Sequence, residues 1–72
     1  MTSKELYKYV MEELGTINCE KVRYKYRIGG EKWLKNTSRS IVIAFAPGEA
    51  SKQLIGRAAK LLYLEIKNII LK

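Results

Sequence analysis

Histidine and aspartate are absent from this sequence, which also holds only one cysteine, Cys19, and one proline, Pro47. Without histidine the chain lacks the commonest general base and the commonest metal ligand. A lone cysteine excludes an internal disulfide framework and any zinc site built from cysteine pairs. No run of about 18 apolar residues occurs, so no membrane-spanning segment is expected. Residues 1–15 carry Lys4, Glu5, Lys8, Glu12 and Glu13, which interrupt the apolar stretch that a secretory signal needs. A cytoplasmic location is therefore expected, in keeping with the single thiol. The phosphate-loop pattern is missing despite Gly48 and Gly56. Every carboxylate is a glutamate near lysines, and Ser40 and Ser51 have no histidine to activate them. Cys19 is a nucleophile only if Lys21 activates it, and a buried inert thiol is the simpler expectation. The chain is read as a non-enzyme with no cofactor and no metal.

What the sequence does contain is apolar residues and positive charge. Its 72 residues are 47% apolar, which excludes a disordered tail and bounds the chain to one small domain over residues 1–72. A chain of this size buries only ~60% of its unfolded surface, so a homodimer would add stability. Fourteen Lys and Arg against seven Glu give a net charge of +7.

Hydrophobic periodicity predicts an α+β domain: an N-terminal helix, an antiparallel sheet of two to three strands, and a long C-terminal helix. Residues 3–14 read as a helix, with Thr2 and Glu5 forming a capping box and Gly15 as its stop. Leu6, Tyr7, Val10, Met11 and Leu14 make its apolar stripe. From Glu20 the period changes to two. Val22, Tyr24, Tyr26 and Ile28 alternate with Lys21, Arg23, Lys25 and Arg27, as in a strand with one apolar and one cationic face. Gly29-Gly30 reads as a hairpin turn. A short strand over residues 32–35 follows, then a turn at Asn36-Thr37-Ser38. A third strand runs from Arg39 to Ala46 and ends at Pro47-Gly48. The last helix begins at Glu49 or Ser51 and reaches Leu71, with Leu54, Ile55, Ala58, Ala59, Leu61, Leu62, Ile66 and Ile69 toward the core. Lys52, Arg57, Lys60 and Lys67 lie on its other side, and Ile69, Ile70 and Leu71 leave a surface for self-association.

Charge is the strongest functional signal. Residues 21–39 hold seven Lys and Arg against Glu31 alone, a net of +6, whereas residues 1–20 net −2. Four cations on one strand face repel one another, and an anionic polymer relieves that repulsion while releasing counterions. The candidate nucleic-acid contacts are Lys21, Arg23, Lys25, Arg27, Lys32, Lys35, Arg39 and Lys52, with Trp33 as a residue able to stack on a base or wedge a groove. Duplex DNA or RNA is favoured over a single strand. The bland alternatives are an edge strand protected by charge and, for Trp33, a lid over one end of the core. A further alternative is a non-catalytic interaction factor of mobile-element or viral type that docks on an acidic protein or self-associates. Tyr24 and Tyr26 are expected in the core, and Tyr7, Tyr9 and Tyr63 at its rim.

The order helix, three strands, helix, with Ser51-Lys52 opening the last helix and Ala58-Ala59 along it, resembles the double-stranded-RNA-binding domain over nearly the whole chain. In that family a Ser-Lys-Lys run at this helix start grips phosphates across the major groove, so the resemblance implies that Lys52 contacts phosphate. Gln53 and Gly56 stand where the family has further basic residues, and Gly29-Gly30-Glu31 replaces its Pro-His element. The basic sheet followed by a helix is also similar to the arm-binding domains of phage-type integrases. There the sheet enters the DNA major groove, which implies that Lys21, Arg23, Lys25 and Arg27 face DNA.

Overall fold

Side chains that accept the first free backbone N–H groups start each helix of this chain. In a computed structural model that describes residues 1–71, the elements are α1 (Ser3–Leu14), α2 (Cys19–Phe45) and α3 (Lys52–Ile70). The Thr2 hydroxyl accepts from the Glu5 N–H at 3.1 Å, and the Glu5 carboxylate accepts from the Thr2 N–H at 3.0 Å. These bonds, led by the one from the Thr2 backbone, lower the Glu5 pKa. Asn18 caps α2 by accepting from the Lys21 N–H, and Ser51 caps α3 by accepting from the Leu54 N–H. Gly15 ends α1 at a φ of 75°. The outer helices thus have nearly the bounds that the sequence predicts.

The middle of the chain does not. No strand occurs among the described residues, so the fold is all-α and the expected α+β architecture is wrong. With the sheet go the resemblances to the double-stranded-RNA-binding domain and to sheet-type integrase domains. The error has a physical source in the run Val22, Tyr24, Tyr26, Ile28. Alternation over so short a stretch also contains i, i+4 pairs, and on a helix those pairs share a face. Val22 and Tyr26 pack on the core, while Tyr24 and Ile28 are 63% and 71% exposed. The four cations of the supposed strand face divide likewise into Lys21 with Lys25 and Arg23 with Arg27. Farther along, Leu34, Ser38 and Val42 are wholly buried at i, i+4 and i+8. That stripe runs straight through Asn36-Thr37-Ser38, which is helix and not turn. Asn, Thr and Ser are weak helix formers, but tertiary burial of an apolar face outweighs propensity.

The expected Gly29-Gly30 hairpin turn does not form, because both of its flanks are helical, but the chain is discontinuous at Gly30. Gly30 has φ 69° and ψ −159°, which breaks α2 into arms of residues 19–29 and 31–45. Gly29 serves a different purpose: a Cβ there would lie 2.4 Å from the Trp33 Cβ. Trp33 therefore rests against a bare backbone at the bend.

The three helices close around Leu6 and Val10 of α1, Leu34 and Val42 of α2, and Ala58, Ala59, Leu62, Ile66 and Ile70 of α3. Tyr7 of α1 is pushed to a higher pKa by burial, with the Glu65 carboxylate of α3 adding to the effect. Three smaller expectations also fail, wholly or in part. Cys19 is exposed rather than buried, Tyr24 lies outside the core, and Ile70 is buried, although Leu71 beside it is 65% exposed. Among the described residues no helix is long and apolar enough to cross a membrane.

The Ser38 hydroxyl is buried in this core with no hydrogen-bond partner among the described residues. A buried unsatisfied hydroxyl costs about 1–3 kcal/mol, and alanine is the better helix former. Ser38→Ala is accordingly expected to raise the urea midpoint, a result opposite to that of most core truncations. A lower midpoint would mean that the hydroxyl has a partner.

Candidate anion-binding groove

Glu31 is the first residue after the Gly30 break, so its carboxylate lies at the positive end of the second arm of α2. It accepts hydrogen bonds from the Tyr26 hydroxyl at 2.8 Å and from the Tyr63 hydroxyl, and pairs with the Lys67 ammonium at 2.8 Å. Lys67 also donates to the Tyr63 hydroxyl at 3.2 Å. One carboxylate thereby ties the first arm of α2 to the second arm and both to α3. The Lys67 ammonium is the main cause, with Tyr63 and Tyr26 following, of a Glu31 pKa lowered from 4.5 to about 2. In return Glu31 raises the Lys67 pKa well above the usual lysine range and raises that of the Tyr26 phenol.

Because the folded pKa of Glu31 is depressed, its contribution to stability is complete above pH 4.5 and is lost as pH falls toward about 2. Glu31→Gln should lower the melting temperature at neutral pH and reduce the loss of stability over that acid window. Thermal melts of both proteins across the window test this, and parallel curves would show that the cluster contributes nothing to folding.

Beyond Tyr63 the second arm of α2 and α3 run antiparallel and leave an open groove of about 400 Å³ between them. Lys35 and Arg39 line it from α2, and Gly56, Ala59, Lys60 and Tyr63 from α3. The helical period explains the set: Lys35 and Arg39 are one turn apart, and residues 56, 60 and 63 share a stripe. The Lys35 and Lys67 ammonium groups lie 5.9 and 5.5 Å from the centre of the Tyr63 ring. Tyr63 thus stands between two ammonium groups, with Lys35 near its ring and Lys67 at its hydroxyl edge. Glu31 neutralises Lys67, whereas among the described residues no carboxylate forms an ion pair with Lys35, Arg39 or Lys60.

Gly56 lines the groove at an exposed position of α3. It sits in the interior of α3 in ordinary helical conformation, and a Cβ there would meet nothing within 4 Å. Glycine in a helix interior costs about 1 kcal/mol relative to alanine. No neighbour among the described residues requires that cost, and the missing side chain leaves the groove open to close approach.

Of the nine residues expected to meet nucleic acid, only Lys35 and Arg39 share this groove. Lys21, Lys25 and Trp33 line a separate apolar cleft. Arg23 donates through Nε to the Ile70 carbonyl at 3.3 Å and so caps the end of α3. Arg27, Lys32 and Lys52 are exposed and line neither site. Lys60, Tyr63 and Gly56 were missed as site residues. Their common stripe on α3 is visible in the sequence, but its facing partner, Lys35 with Arg39, exists only once residues 31–45 are helical. No family model, curated protein or solved structure matches the chain.

Proposed function

We propose that this protein binds nucleic acid, duplex DNA or RNA, without catalysing a reaction on it, and that backbone phosphates enter the groove between α2 and α3. The observation that carries this reading is the convergence of Lys35, Arg39 and Lys60, which have no ion-pair partner among the described residues, around one groove. Like charges gathered on two packed helices raise the energy of the free protein, and phosphates lower it while releasing counterions. The exposed Cys19 thiol fits the reducing conditions of the cytoplasm, where such a polymer is met.

The triple variant Lys35→Gln, Arg39→Gln, Lys60→Gln tests the proposal by fluorescence anisotropy with labelled duplexes over a range of salt. Binding should weaken, and the slope of log affinity against log salt should flatten by about 0.9 for each phosphate of B-form DNA that is no longer neutralised. Lys21→Gln with Arg27→Gln, outside the groove, should change the slope far less. A folded triple variant with unchanged affinity and slope rejects the groove as the binding site. Retention of an acidic polypeptide, with no binding to either duplex, would favour the protein-docking alternative.

A further inference from the structure

The opposite face of α2's second arm carries a feature of different chemistry. Trp33, Thr37 and Ile41 repeat at i, i+4 and i+8, about 200° around the helix from Lys35 and Arg39. With Leu14, Ile17 and Val22 they surround an open cleft of about 250 Å³ whose walls are mainly apolar. Lys21 and Lys25, one helical turn apart on the first arm of α2, stand at its rim. Both are exposed, and among the described residues neither ammonium forms an ion pair. Asn18, also at the rim, already has its side-chain oxygen engaged by the Lys21 N–H.

We propose that this cleft binds a medium-chain aliphatic carboxylate, with its hydrocarbon against Leu14, Ile17, Ile41 and Trp33 and its carboxylate held by Lys21 and Lys25. Two features choose the ligand class. Apolar walls offer nothing to a polyanion, whose charges continue along its whole length, and a neutral hydrocarbon leaves the two ammonium groups unused. A single anionic head on an apolar tail satisfies both, in the usual manner of small-molecule sites with a few convergent polar groups. The volume falls just below the roughly 300–1,000 Å³ of drug-sized pockets, which points to a medium-length chain and not a long one. Gly29 contributes indirectly, since its bare backbone lets Trp33 lie at the bend and form one wall.

Trp33 is the only tryptophan, so its emission reports on the cleft alone. Titrating the full chain with octanoate should give a saturable blue shift, whereas octan-1-ol, of equal tail length and no charge, should bind at least about tenfold more weakly, as expected for loss of charge-assisted hydrogen bonds. The pair Lys21→Gln and Lys25→Gln, at exposed positions, should weaken octanoate binding by a similar factor with helical circular dichroism unchanged. Thr37→Phe, which fills the cleft, should abolish the response. The groove variant at Lys35, Arg39 and Lys60 should bind octanoate like the wild type, which separates this site from the nucleic-acid proposal. Absence of a saturable shift in the wild type overturns the inference, as does equal affinity for octanoate and octan-1-ol or undiminished binding by the lysine variant.

Discussion

Leu62→Ala is expected to destabilise this protein by about 2–5 kcal/mol, the range for a fully buried leucine whose cavity cannot collapse. Leu62 has no solvent exposure and belongs to the cluster that joins Leu6 and Val10 of α1 to Leu34 of α2. Its neighbours one turn back, Ala58 and Ala59, are too small to fill the space left behind. Stability at about 0.05–0.15 kcal/mol per residue leaves a chain of this length little reserve, so the variant should populate unfolded molecules even without denaturant. Leu64→Ala is the control, because Leu64 is 49% exposed on the outer side of the same helix. Its effect should stay within about 0.5 kcal/mol. Urea midpoints of the two variants test the rotation of α3, and equal losses would show that the helix faces the core differently.

Substituting Gly30 is expected to be the most damaging change outside the core. Its φ of 69° and ψ of −159° lie in a region that is open essentially to glycine alone. An L side chain there costs about 1–3 kcal/mol, and Gly30→Val should exceed Gly30→Ala because branching at Cβ stiffens the residue further. The surroundings offer no steric obstacle, since nothing lies within 4 Å of the added Cβ, so the strain is in the backbone itself. One way to relieve it is to straighten α2 into a continuous helix. That movement would pull Tyr26 from Glu31 and Arg23 from the Ile70 carbonyl, two contacts that hold the first arm in place. Helical circular dichroism should therefore remain while the melting temperature falls. Melting of Gly30→Val at the wild-type temperature would show that the chain does not bend at this residue.

How much of this was legible varies along the chain. α1 and α3 could be read because local signals and burial agree there: a capping box at Thr2 and Glu5, a serine cap at Ser51, and apolar residues at helical spacing throughout. In α2 they conflict. Val22, Tyr24, Tyr26, Ile28, Ile41, Val42, Ile43 and Phe45 are β-branched or aromatic, and by propensity they favour strands. Gly29-Gly30 and Asn36-Thr37-Ser38 carry strong turn chemistry. The i, i+4, i+8 spacings of Leu34, Ser38 and Val42 and of Trp33, Thr37 and Ile41 announce the helix, but each has at its centre a serine or threonine that a hydrophobic pattern does not count. The groove was half visible for the same reason. The excess charge of residues 21–39 was evident, but whether its members share a surface depends on the angle between successive residues. At strand geometry Lys21, Arg23, Lys25 and Arg27 would form one face, and at helical geometry they part.

The sequence by itself determined the capped outer helices, the cationic excess, and the absence of histidine, aspartate and a second cysteine, and it marked Gly30 as a discontinuity without showing that helix flanks it on both sides. Each of these is a property of composition or of contacts within a few residues. Tertiary structure decided that residues 19–45 are helical, because packing the apolar face of α2 on α1 and α3 offsets the poor propensity of its residues. It also decided which cations act together. Lys35 and Arg39 meet Lys60 only because α2 and α3 pack antiparallel. Glu31, thirty-two residues from Tyr63, removes Lys67 from the free charge of that face only through contacts that folding creates.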